Sequence, residues 1–173
     1  MVYYRAGYHH GDARAALVRA AFNLACGGGP RTVTLRAAAR EVGITAAAVY
    51  RHFRTAEELL GAVKCRALLM LGERVDDAVA RVAAGGDAAL RKRIRAVAEA
   101  YVSFARENPG LFAMAGHGGF DDAVALVGER VGDVPHTVGL AVWSAAHGVA
   151  VVSGSEVEQQ RVLDIVLAGI VPG

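Results

Sequence analysis

The sequence predicts an all-α chain of about nine helices. It places a three-helix unit containing a helix-turn-helix at the N-terminal end and a larger helical bundle after it. Three observations carry this. Apolar residues make up 54% of the 173 positions with only four Pro, enough to bury a core without interrupting helices. Those apolar residues recur at spacings of three and four rather than two. Thr, Ser, Asp and Gly then punctuate the pattern where helices should start and stop. The expected units are residues 1–54 and residues 55–173.

Each element follows from its own residues. Tyr8-His9-His10-Gly11-Asp12 leads into a first helix, with Asp12 as its expected cap. Leu17, Ala21 and Leu24 form its inward stripe, flanked by Val18 and Phe22, and Gly27-Gly28-Gly29-Pro30 ends it. Thr34 caps a second helix that turns Leu35, Ala38, Ala39 and Val42 inward and Arg36 and Arg40 outward. Gly43 supplies a turn, and Thr45 caps a third helix. Ile44 and Val49 form a hydrophobic staple across that cap. Val49 and Phe53 point inward, leaving Ala46, Ala47, Ala48 and Arg51 facing out.

Thr55-Ala56-Glu57-Glu58 is a capping box opening a long fourth helix that should reach about Ala84 and end at Gly85-Gly86. Asp87 is the expected cap of a fifth helix, with Leu90, Ile94, Val97, Tyr101 and Phe104 on its inward face. Asn108-Pro109 starts a short sixth helix, with Pro at the favoured first position. A loop over Gly116 to Gly119 precedes a seventh helix from about Asp121 to Val131. The eighth runs from about His136 to Val152. Ser155-Glu156-Val157-Glu158 is a second capping box, opening a last helix carrying Val162, Ile165, Val166 and Gly169.

Charge is divided unevenly. Net charge is +2, yet residues 1–66 hold ten Lys or Arg against four acids, and the remainder holds nine against thirteen. A basic front half is the asymmetry expected when one end of a molecule meets a polyanion. Residues 134–155 carry no Asp, Glu, Lys or Arg, a length that could span a bilayer. Their Pro, two His, four Ser or Thr and three Gly, without flanking cations, point instead to a helix buried on all sides, as at a subunit interface. No apolar targeting core opens the sequence, and no membrane association is expected. Cys26 and Cys65 form no C-x-x-C pair and read as buried free thiols of a cytoplasmic protein.

The stretch Thr34 to Phe53 carries the chemistry. Small Ala46, Ala47 and Ala48 on the outer face of a helix let it sit deep in a DNA major groove about 12 Å wide. Thr45 and the first-turn N–H groups can meet a phosphate, and Tyr50, Arg51 and His52 add a hydroxyl, a guanidinium and an imidazole at the groove edge. The same helix pair could be ordinary packing in a small all-helical binding protein. Other constellations carry less. His9 and His10 lack metal-ligand spacing, and His117, His136 and His147 have no G-x-S-x-G or activated Cys beside them, so no metal, cofactor or enzymatic activity is expected. Arg91-Lys92-Arg93 with Arg95 reads as a solvated helix face. Trp143 and His147 share one face of a helix. With Met70, Tyr101, Phe104 and Phe112 they are the bulky side chains expected to ring a pocket for an apolar or aromatic ligand.

These motifs closely resemble the DNA-binding domain of the tetracycline-repressor (TetR) family of bacterial regulators. The resemblance rests on Thr34-Leu35-Arg36, Val42-Gly43-Ile44-Thr45, Tyr50-Arg51-His52-Phe53 and Glu57-Glu58-Leu59-Leu60, and covers about residues 9–65. The Tyr8–Asp12 motif, Asn108-Pro109-Gly110-Leu111-Phe112 and Trp143 with His147-Gly148 resemble the subgroup named for its Trp-His-Gly pattern. The resemblance implies a nine-helix homodimer on a palindromic double-stranded DNA operator, released by a small molecule bound in the C-terminal half. It implies DNA contacts from Thr34, Arg36, Thr45, Ala47, Tyr50 and His52, with Ala46, Ala48 and Arg51 completing the same face. Where the family often has Lys, this chain has Ala46 and Ala56. Val151, Val162, Ile165 and Val166 are the expected dimer face.

Overall fold

The computed structural model describes residues 10–82, 85–152 and 154–170, with side chains from Ala13 onward. The described chain is all helical, with nine α-helices and one 3₁₀ turn. In order these are α1 (His10–Gly28), a 3₁₀ turn (Pro30–Thr32), α2 (Leu35–Val42), α3 (Ala46–Val49), α4 (Ala56–Ala80), α5 (Gly86–Glu107), α6 (Pro109–Ala115), α7 (Asp121–Val131), α8 (His136–Val151) and α9 (Glu156–Ile170).

The first three helices close over one small core. Leu17 and Ala21 of α1, Ala38 and Ala39 of α2, Val49 and Phe53 are all buried, with Leu59 and Val63 of α4 beneath them. The first helix is under way by His10, ahead of the expected cap at Asp12, and Tyr8 and His9 lie outside the described residues. Gly29 (φ 69°) and Pro30 then end it as the sequence requires. Thr34 and Thr45 act as the caps of α2 and α3, and Gly43 (φ 74°) turns between them.

The third helix is shorter than expected. Only Ala46–Val49 is regular α-helix. Beyond it the Arg51 and His52 N–H groups bond three residues back, to Ala48 and Val49, tightening the chain into a turn. Phe53 is pulled fully inward, with the Arg14 guanidinium 4.7 Å from its ring centroid.

The helix α4 is the shaft between this unit and the bundle. Its cap differs in detail from a closed box. Thr55 accepts the Glu58 N–H, but the Glu58 carboxylate reaches the Arg54 N–H rather than that of Thr55. It ends at Ala80 instead of about Ala84, giving 25 residues and a length of roughly 37 Å. Neither Gly85-Gly86 nor Asp87 acts as predicted. Gly85 sits at the N-cap position, and Asp87 lies inside the first turn of α5. The second capping box forms completely, with Ser155 and Glu158 exchanging both bonds.

The bundle is built around α5, whose Ile94, Val97, Tyr101 and Phe104 are buried as the four-three spacing demands, with Leu90 half-buried. It packs on α4 and α8, and α7 crosses α8 closely at Gly128 and Gly139. The uncharged helix α8 is not buried on all sides within the chain. Gly139, Val142, Ala146 and Val149 face the core, while Leu140, Ser144, Gly148 and Val151 form an exposed stripe at four-residue and three-residue steps. The cysteines are also exposed, against expectation. Cys26 lies just past the inward stripe of α1, and Cys65 falls between the inward Val63 and Ala67 of α4. The Arg91–Arg93 run and Arg95 are solvated as expected. Among the described residues no helix is long and apolar enough to cross a membrane.

Candidate nucleic-acid interface and ligand site

The α2–turn–α3 pair presents most of the predicted DNA-contacting residues to solvent. Thr34, Arg36, Thr45, Ala46, Ala47, Tyr50 and Arg51 are exposed, and Ala48 and His52 are half-buried. Both threonines use Oγ1 to accept a helix-start N–H, from Ala37 at 3.0 Å and from Ala48 at 3.2 Å. Each hydroxyl proton stays available to donate outward. Tyr50 is 59% exposed although it is large and apolar in body, and it stands beside buried Val49. A hydrogen-bonded turn thus holds an aromatic hydroxyl and the Arg51 guanidinium at the end of a small alanine face.

The bulky residues of the bundle meet as a packed cluster. The Trp143 and His147 rings stack at 4.9 Å, Phe112 stacks on His147 at 5.5 Å, and Tyr101 meets Phe112 edge-on. The Tyr101 hydroxyl lies 3.0 Å from His147 Nδ1. Phe104 is buried in the core nearby, and Met70 packs against that core from α4. Burial pushes the Tyr101 hydroxyl up to about 12, with the neighbouring Trp143 indole pulling the other way. The Trp143 Nε1–H is itself buried and makes no well-aligned hydrogen bond. Burial also lowers the His147 pKa below its ordinary 6.5.

That shift has a sign. The unfolded chain takes up the His147 proton before the folded chain does, so acidification favours unfolding. Thermal unfolding across a pH series should show stability falling as pH drops below about 6.5 and through the lower folded-state value. His147→Gln should flatten that part of the profile; an unchanged slope would place its cause elsewhere.

Phe120 is the member of this cluster that periodicity did not reveal. It precedes α7, follows two loop glycines, and lies 4.6 Å from the His147 ring and 5.5 Å from Trp143 while still 42% exposed. The loop it belongs to also grips α4. Lys64 Nζ donates to the Gly119 carbonyl at 3.2 Å and pairs with Asp122 at 2.8 Å, and His117 Nε2 meets Glu57 at 3.2 Å. A separate polar groove of about 670 Å³ lies between α4, α5 and α9 on the far face of α5. Arg74, Arg81, Arg106, Asp77 and Glu99 are among its lining residues, and none of the six predicted pocket residues is.

The expected dimer residues lie together on the outer face of α8 and α9. Val151 is 57% exposed, Val162 49%, Ile165 73% and Val166 37%, while Leu163 and Leu167 hold α9 to the bundle. An apolar groove of about 580 Å³ runs between the two helices, lined by Ser144, Gly148, Val162 and Val166 among others.

With this geometry in place, residues 17–63 match the family of bacterial regulatory proteins, tetR family. The chain carries a tetR-family domain. The match spans α1 to the first turns of α4 and so runs beyond residue 54 into the shaft. Solved structures resemble the chain over nearly its whole length. A Rhodococcus sp. RHA1 protein of unknown function is 27% identical, with a TM-score of 0.67 over 95% of this chain and 98% of that one. A putative TetR-family transcriptional regulator from Mesorhizobium loti is 14% identical, with a TM-score of 0.58 over 95% and 97%. The R. erythropolis transcriptional repressor QsdR, from the TetR family, is 16% identical, with a TM-score of 0.53 over 94% and 96%. The bundle behind the tetR-family domain therefore shares its fold with that of TetR-family regulators.

Proposed function

We propose that this chain is a ligand-responsive transcriptional repressor, binding a palindromic operator as a cytoplasmic homodimer and released from it by a small apolar or aromatic molecule. Residues 1–54 read DNA in this account, and residues 55–173 bind ligand and dimerise. The observation that carries it is the exposed Ala46–Ala47 face held by the Thr45 cap and bounded by Tyr50 and Arg51, within a segment of matching family. Two such heads must sit roughly 34–36 Å apart to enter successive major grooves. Ligand selects the state in which they do not, with α4 carrying the displacement. A gel shift against the DNA flanking the gene tests this. Absence of binding at low salt, to that DNA and to random duplex, would overturn it.

Two substitutions separate positioning from reading. Tyr50→Phe removes a hydroxyl placed for a phosphate, so affinity should fall by a similar factor on every sequence. Arg36→Ala should relax preference at one base pair, costing about 1–3 kcal/mol there. Affinities across a set of singly substituted operators check both. A position-specific Tyr50 effect, or a uniform Arg36 effect, would exchange the two roles.

A further inference from the structure

We infer that Arg14 of α1 is a further DNA-contacting residue, its guanidinium held over the Phe53 ring and its N–H donors free for a phosphate at the edge of the Tyr50–Arg51 surface. This rests on the reading of α2–turn–α3 as the DNA-reading unit, and it extends that surface onto α1. Phe53 closes the turn after α3, its N–H bonded to the Val49 carbonyl at 3.0 Å and its ring fully buried. The Arg14 guanidinium lies 4.7 Å from the centroid of that ring, while the residue as a whole is exposed. Attraction to a ring face uses the cation's charge and leaves its N–H donors unspent. Among the described residues, Arg14 makes no ion pair or side-chain hydrogen bond. The same holds for the side chains of Arg51 and Arg54, both exposed on either side of Phe53. The two acids that follow are engaged elsewhere. Glu57 meets His117 at 3.2 Å, and Glu58 accepts the Arg54 backbone N–H at 2.8 Å. In the bundle, by contrast, Arg74, Arg95, Arg106 and Arg130 each pair with an acid.

Guanidinium groups gathered around one turn without an acid repel one another, and a polyanion relieves that repulsion. The Phe53 ring adds preorganisation. An arginine that swings freely gives up rotamer freedom when it grips a phosphate, and Arg14 has given up part of it by resting on the ring. The opening of α4 offers no cation of its own at this edge, since its first turn is Ala56-Glu57-Glu58. A matched arginine stands elsewhere. The Arg66 guanidinium lies 4.6 Å from the Phe22 ring centroid, and Arg66 is likewise exposed and without an ion pair among the described residues. It sits roughly 15 Å along α4 from Ala56, beyond the reach of an interface formed at the turn. Arg66 thus carries the same chemistry away from the DNA edge.

The test is binding of random-sequence duplex DNA by the full chain across a salt series, read by fluorescence anisotropy. The unaltered chain is compared with Arg14→Gln and Arg66→Gln, two variants of equal net charge. Arg14→Gln should lose about tenfold in affinity at low salt, on random duplex and on the DNA flanking the gene alike. Its slope of log affinity against log salt should be shallower by about 0.9 for each arginine lost. Arg66→Gln should leave that slope unchanged. Arg14→Met keeps an unbranched stem over Phe53, should behave as the glutamine variant does, and serves if that variant fails to fold. Arg14→Lys keeps the charge but loses the planar fork, so it should keep the slope and bind about threefold more weakly. An unchanged slope in whichever uncharged Arg14 variant folds, an equal change in Arg66→Gln, or full affinity in Arg14→Lys would overturn the inference and leave the DNA-binding reading standing. Failure of the unaltered chain to bind any duplex at low salt would overturn both.

Discussion

Val166→Arg is expected to leave a monomer by light scattering, and with it to lose about 10²–10⁴-fold in operator affinity. The α8–α9 surface is the argument. Val151, Val152, Val157, Val162, Ile165 and Val166 are all exposed on one chain, a concentration of apolar side chains at the end of a bundle that otherwise covers its core. Burying such area is worth roughly 25 cal/mol per Å², and a second copy meeting it about a two-fold axis would bury it on both chains at once. An arginine at position 166 would then be desolvated in the same self-contact as its own copy, two like charges in a groove whose one acid per chain, Glu158, is already engaged by Ser155. The fold itself should survive, because Leu163 and Leu167 on the opposite face keep α9 on the bundle. The loss of operator affinity follows from linkage rather than from any DNA contact, since two heads joined as one molecule gain about 10²–10⁴ in avidity over one. A dimer that persists with unchanged circular dichroism would show that the interface lies elsewhere.

The exposed valines also show what was legible in the sequence. Inward faces were readable wherever a helix packs on its own chain. Leu17 and Ala21, Ala38 and Ala39, and Ile94 through Phe104 follow the four-three spacing because burial and helical period act together there. Caps at Thr34, Thr45, Thr55 and Ser155 were readable because each is a local bond between a hydroxyl and an N–H three residues on. The misread features depend on what lies across the molecule or on how far a helix propagates. Helix α3 stops after Val49 because the chain must turn Phe53 into the core. Helix α8 carries no charge yet is half open within the chain, since an apolar surface left open to solvent looks in sequence like one turned to the interior. Phe120 sits between helices, where periodicity carries no information. Its contact with Trp143 and His147 appears only when the α6–α7 loop is folded onto α8.

Gly110→Ala should destabilise the protein by about 1–3 kcal/mol, a methyl group forced into a closed contact. Gly110 lies on the face of α6 that meets the end of α1. A Cβ there would collide with the Ala25 carbonyl, and would sit 2.9 Å from the Cys26 carbonyl and 3.1 Å from the Gly29 nitrogen. All three are backbone atoms of a helix end fixed by the Gly29 turn, so no rotamer change relieves the clash. The helix α6 must back away, and Leu111 and Met114, both buried on it, must move with it. For a chain of this size the expected signature is a fall in Tm of roughly 2–4 °C per kcal/mol. Gly61→Ala supplies the opposite sign. Gly61 is exposed within α4, and nothing lies within 4 Å of the new methyl group, so only the helix gain of about 0.5–1 kcal/mol remains. The Gly110 change should carry a second consequence. In the proposed division α1 belongs to the DNA-reading unit and α6 to the bundle, so a shifted contact would re-aim one against the other. Operator affinity should then fall more than the loss of folded protein accounts for, at a temperature where both variants are fully folded. Equal affinity there would confine Gly110 to stability and leave α4 as the sole route between the two ends.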